Sequence, residues 1–247
     1  MPRRNEVAES ELADYDWLVA ATAHTREVYS AVRQFQDIEE DRPTLMFDAL
    51  AISPQISAAL KRLGRVLPAL KGRERSWAPA DHEFIDIVLS LDSGCHGLLM
   101  FHLPYAIAEG VRIEAVEALR SGHEDELTAD EAQQVDFIRH VCQGTMTDQA
   151  WWAMVERIGS ERGVVEYTFF ISLLLLHVRM RQALDIPSIS DEHLDEMLQA
   201  IREGAFPLPR SWAERKAESD ATEAGLRRLW DEMHFGTTAG PAQEAAP

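Results

Sequence analysis

The chain is expected to fold as an all-α protein, and three features of the sequence carry that expectation. Core-type residues recur at spacings of three and four, as in Leu12, Tyr15, Leu18, Val19 and Thr22, which is the mark of one buried helix face. Strand-like alternation is almost absent. The periodic segments are separated by Gly, Pro, Ser, Thr and Asp at positions that start or stop helices.

The first segment runs over residues 11–38 and is closed by "EEDRP" at 39–43, since a proline disfavours helix in the residue before it. "TLMFDALAISPQISAALKRLGRVLPAL" then gives a short helix, a break at Ser53-Pro54 and a longer helix to about Leu70. Ser53 is its cap and Pro54 occupies its first turn. After the polar connector "KGRERSWAPA" at 71–80, "APADHEF" opens a helix that reaches "LDSG", with Gly94 as terminator. Cys95 starts the next helix, which ends near Gly110.

"RIEAVEALRSG" is one short helix. "LTADEAQQVDFIRHVCQG" is another, capped by Thr128 or Asp130, and "MTDQAWWAMVERIGSERG" a third, capped by Thr147 or Asp148. "VVEYTFFISLLLLHVRMRQALDI" ends before Pro187, and "SISDEHLDEMLQAIREG" and "SWAERKAESDATEAGLRRLWDEMHF" add two amphipathic helices. The tail "GTTAGPAQEAAP" has the small, polar composition of a disordered end. A loose echo between "HEFIDIVLSLDSGCHG" and "VVEYTFFISLLLLHVR", each with an early glutamate in an apolar helix, is compatible with an internal duplication.

Composition narrows the function. The 247 residues are 46% hydrophobic, enough for one sizeable core. With 42 acidic against 24 basic residues the formal charge is −18. Such a surface repels phosphate backbones and argues against nucleic-acid or membrane-surface partners. Cys95 and Cys142 are too few for a disulfide framework. The N-terminus leads into no apolar h-region. The longest apolar run, "YTFFISLLLLHV" at 167–178, falls short of the roughly 20 residues that span a bilayer and reads as a fully buried helix. A cytoplasmic protein is expected.

The stretch "DHEFIDIVLSLDSGCHGLLMFHLPYAIAEG" at 81–110 holds the candidate chemistry: Glu83, Cys95 and His102. Glu83 falls in the first turn of an apolar helix. There a carboxylate either answers the helix dipole or serves as a general acid/base held in apolar surroundings. Cys95 follows Gly94 at a helix start, where thiolates are stabilised, or else it is a small buried hydrophobe. His102 lies two helical turns after Cys95 on the same face, as a catalytic group or a satisfied core histidine. His96 points away from His102, Cys142 reads as packing, and His177 as structural. HxxxH and CxxC spacings are missing, so zinc is not expected, and no cofactor motif of the GxGxxG, P-loop or GxSxG kind occurs.

Over residues 42–187 the chain resembles the carboxymuconolactone decarboxylase and AhpD-like alkylhydroperoxidase superfamily. The resemblance rests on "RPTLMFDALAISPQISAALKRLGRVLPAL", on the 81–122 segment with its Glu helix, Gly turn and His helix, and on the layout of 127–186. It implies an AhpD-like helical bundle with extra N- and C-terminal helices. On this division residues 1–41 form an N-terminal extension, 42–187 the core, 188–235 the C-terminal helices and 236–247 the tail.

By resemblance Glu83 matches the family's proton-handling glutamate, His102 its motif histidine and Cys95 the first cysteine of the peroxidase pair. Leu98 stands where the second cysteine would be, which departs from the two-thiol pattern. The resemblance therefore implies acid/base chemistry (decarboxylation, isomerisation or dehydration) on a small carbonyl or lactone substrate. Leu98, Leu99 and Phe101 would line the pocket, with no cofactor. It also implies a homo-oligomer: a dimer, trimer or hexamer. The alternatives are an alkylhydroperoxidase-like thiol antioxidant protein and a non-catalytic helical binding module.

Overall fold

The computed structural model describes residues 4–28, 53–66, 76–186 and 188–235. Among these there are ten α-helices and no strands, so the all-α class holds. The helices are α1 (Leu12–Val28), α2 (Pro54–Val66), α3 (Pro79–Ser93), α4 (His96–Ala108) and α5 (Ile113–Ser121). They continue with α6 (Ala129–Gln143), α7 (Asp148–Ile158), α8 (Glu161–Ala183), α9 (Asp191–Arg202) and α10 (Trp212–Phe235). The expected end of the first helix at 39–43, the short helix before Ser53, the stretch leading to Leu70 and the tail lie outside the described residues.

Local signals set most boundaries. Thr128 rather than Asp130 caps α6, accepting from the Glu131 N–H while Glu131 accepts from the Thr128 N–H, a reciprocal capping box. Thr147 rather than Asp148 caps α7. Ser160 caps α8, so "SERG" opens α8 instead of closing α7. Gly94 ends α3 in the left-handed region with φ 64°, which a side chain would resist. Cys95 is the N-cap of α4, and the helix proper begins at His96.

Two apolar clusters flank the α3–α4 pair. One joins Phe84, Val88, Cys95 and Leu98 to Phe137, Ile138, Met154, Tyr167 and Phe170 from α6, α7 and α8. Within it Trp77 stacks on Phe170 at 6.1 Å between ring centroids, and Phe137 on Tyr167 at 6.0 Å. The other joins Ile87, Leu99, Phe101 and Leu103 to Leu194, Met197 and Leu198 of α9. α3 and α4 are therefore apolar on opposite sides, and the polar residues between them are enclosed by both clusters. A third cluster pins the termini, where Trp17 Nε1 donates to the Leu226 carbonyl at 3.1 Å.

The apolar run on α8 differs from expectation. It belongs to a 23-residue helix long and apolar enough to cross a membrane by length and composition, and 44% of its most apolar window is buried in the protein. It is not buried all round. Val165, Phe169 and Leu176 are 56%, 49% and 43% exposed, because α3, α6 and α7 cover one side of the helix and leave this stripe outward.

Candidate functional site

α3 starts at Pro79, with the Ala78 N–H donating to Asp81 at 2.7 Å. The carboxylate that serves the helix N-terminus is thus Asp81. Glu83 sits a turn deeper than the sequence reading placed it, with only 3% of its side chain exposed, so the helix-dipole account does not explain its burial.

What explains Glu83 is the facing helix. α4 packs antiparallel to α3 across the Gly94 turn and brings His102 back to the start of α3. His102 Nδ1 lies 3.0 Å from Glu83 Oε2 and 3.2 Å from Asp86 Oδ2. His82, one turn before Asp86 on the same face of α3, places Nε2 3.8 Å from that same Oδ2. The His82 ring also packs on Phe170, 4.3 Å between centroids. Asp86 has no exposed side-chain surface, whereas His102 retains 16%. The cluster therefore meets solvent through His102.

Further charged and titratable groups surround this centre. Lys61 of α2 and Arg181 of α8 are both buried. His177 on α8 is partly buried, with its Nε2 fully enclosed. Burial pushes its imidazole down to about 4, helped by the positive charges of His102, Lys61 and Arg181. The Arg181 guanidinium hydrogen-bonds the Cys95 sulfur, and burial holds Arg181 below its ordinary value. Cys95 thus faces α8, and His102 faces α3. Cys142 is half-buried, and desolvation together with Asp92 raises its thiol to about 11.

The sequence-derived residues are only partly gathered. Glu83 and His102 meet directly. Leu98 packs into the α6–α8 cluster, whereas Leu99 and Phe101 pack towards α9, so the three do not line one wall. Two surface clefts lie elsewhere, one lined by Glu117, Arg120, Asp195 and Arg202, the other by Leu91, His96 and Asp191.

His82, Asp86, Lys61 and Arg181 were not among the expected site residues. His82 and Asp86 had a signal: a His-x-x-x-Asp spacing on one helix, which a search for HxxxH or CxxC passes over. His82, Glu83, Asp86 and His102 each offer a donor atom, all within 4.8 Å of one another, a set that could hold a metal ion. No family model matches the chain, and no curated protein or solved structure does so either.

Proposed function

We propose that the chain is a carboxymuconolactone decarboxylase-like enzyme that moves protons on a small carbonyl or lactone compound. The observation that carries this reading is the 3.0 Å contact between His102 Nδ1 and Glu83 Oε2. A carboxylate and an imidazole at that distance can exchange a proton without moving, which is the geometric requirement for a general acid/base pair. Glu83 is the enclosed base or acid that exchanges a proton with His102. His102, on the solvent side, takes or returns the proton. Asp86 holds the same ring edge and fixes its orientation, a positioning role. A substrate approaches over His102, because the rest of the cluster is enclosed.

The resemblance in the order Glu83, Gly94, Cys95, His102 supports the same family reading, with a homo-oligomeric assembly in the cytoplasm. The two cysteines are free thiols, which suits a reducing compartment. The test is turnover of a panel of small lactones and β-keto acids by the wild-type protein, Glu83→Gln and His102→Ala. Loss of about a hundredfold or more in both variants is expected from removing an acid/base group. Unchanged turnover of an identified substrate in both removes the assigned roles.

A second reading is thiol-based peroxide chemistry at Cys95, favoured by its hydrogen bond from buried Arg181. It requires that a Cys142→Ser protein lose its remaining titratable thiol on peroxide treatment. Retention of that thiol under peroxide counts against it.

A further inference from the structure

We infer that His82, Glu83, Asp86 and His102 form a binding site for one first-row divalent transition cation, with zinc as the representative probe. The inference stands on different grounds from the acid/base reading, though both use Glu83 and His102, whose proton-transfer contact a bound ion replaces.

Geometry comes first. In tetrahedral coordination at about 2.0–2.1 Å, neighbouring donor atoms are separated by about 3.4 Å. The three recorded edges of this cluster, at 3.0, 3.2 and 3.8 Å, bracket that value. All four donor atoms fall within 4.8 Å. They come from one turn of α3 and from α4, two well-packed helices, so the donors are held by rigid elements rather than by a loop.

The donor set is the second ground. Glu83 and Asp86 bury two carboxylates side by side, 3% and 0% exposed, and His82 and His102 add an imidazole nitrogen each to the same cluster. Donor chemistry selects the class: two imidazoles and two carboxylates suit zinc, iron(II), manganese or cobalt rather than calcium, which takes six to eight oxygens. The exposed edge of His102 marks where the ion enters.

The test uses the full-length protein stripped with a chelator and then titrated with Zn2+ and, separately, Co2+. One equivalent is expected to bind per chain, with a rise in the thermal midpoint. The Co2+ spectrum should show nitrogen and oxygen ligation without a thiolate charge-transfer band. Asp86→Asn and His82→Ala should each weaken binding at least tenfold, whereas Cys142→Ser should bind as wild type. The inference is overturned by absence of stoichiometric binding, by affinity unchanged in both ligand variants, or by a thiolate band. Should either variant fail to fold, the wild-type stoichiometry and Co2+ spectrum decide alone. Because binding is read without turnover, its failure leaves the acid/base proposal standing, and the reverse also holds.

Discussion

His102 Nδ1 stands within hydrogen-bonding distance of both Glu83 Oε2 and Asp86 Oδ2, at 3.0 and 3.2 Å, so one ring edge serves two buried carboxylates. Removing that ring takes one hydrogen-bonding partner from each carboxylate. His102→Ala is therefore expected to destabilise the protein by about 1–3 kcal/mol, the range for leaving a buried polar group short of a partner. Adding Glu83→Gln to that variant should cost less than the two single losses summed, because the contact it removes is already gone. Urea unfolding of the single and double variants measures this coupling. Additive losses would mean that the two side chains do not interact in solution.

Acid should weaken the fold through His177. Its folded-state value is lowered to about 4 by burial and by the positive charges of His102, Lys61 and Arg181, whereas the unfolded side chain titrates near 6.5. Between those values the unfolded state binds the proton and the folded state does not, so stability falls as pH drops from about 6.5 to about 4. The effect is bounded at about 3 kcal/mol. His177→Phe should flatten the thermal midpoint over this window. An unchanged slope would show that other groups carry the acid response.

Among the described residues the helices and the region of each cap were legible because their causes are local. Thr128, Thr147 and Gly94 act on backbone groups within a few residues of themselves. Glu83 and His102 were legible as a pair only through the family resemblance; the tight turn at Gly94 is what returns α4 along α3. Asp86 and His82 lay in plain sight on the same helix, but their spacing matches no common ligand motif. Lys61 and Arg181 enter from two other helices, α2 and α8, and no periodicity announces which helix will pack there. On α8 the apolar residues run round the whole helix, so pattern alone does not say which side stays outward.

Arg157 ties three helices together. It donates to Asp81 on α3 at 2.7 Å and to Asp130 on α6 at 2.6 Å, with Asp81 itself nearly enclosed. Arg157→Ala should cost about 3 kcal/mol at neutral pH, because it leaves Asp81 buried without that partner. The Arg157 hydrogen bond also holds Asp130 below the usual carboxylate range. That share of the stability is present above the unfolded value and is lost as pH falls through the lowered one. The difference between wild type and Arg157→Ala should thus shrink in acid. Parallel unfolding curves at neutral and acid pH would contradict it.

Val165, Phe169 and Leu176 lie four and seven residues apart on α8, within an arc of about 40° on the helix surface. All three face outward from the α3, α6 and α7 side of the helix. A stripe of this spacing is the kind that two copies of a helix bury against each other, which makes it the place to test the proposed homo-oligomer. Phe169→Glu puts a charge in the middle of the stripe while leaving the inward-facing Phe170 and Ile171 untouched. Sedimentation should show the wild-type chain as an oligomer and the variant shifted towards the monomer, with helix content unchanged. If both sediment alike as oligomers, assembly uses another face; if both are monomers, the proposed homo-oligomer is wrong.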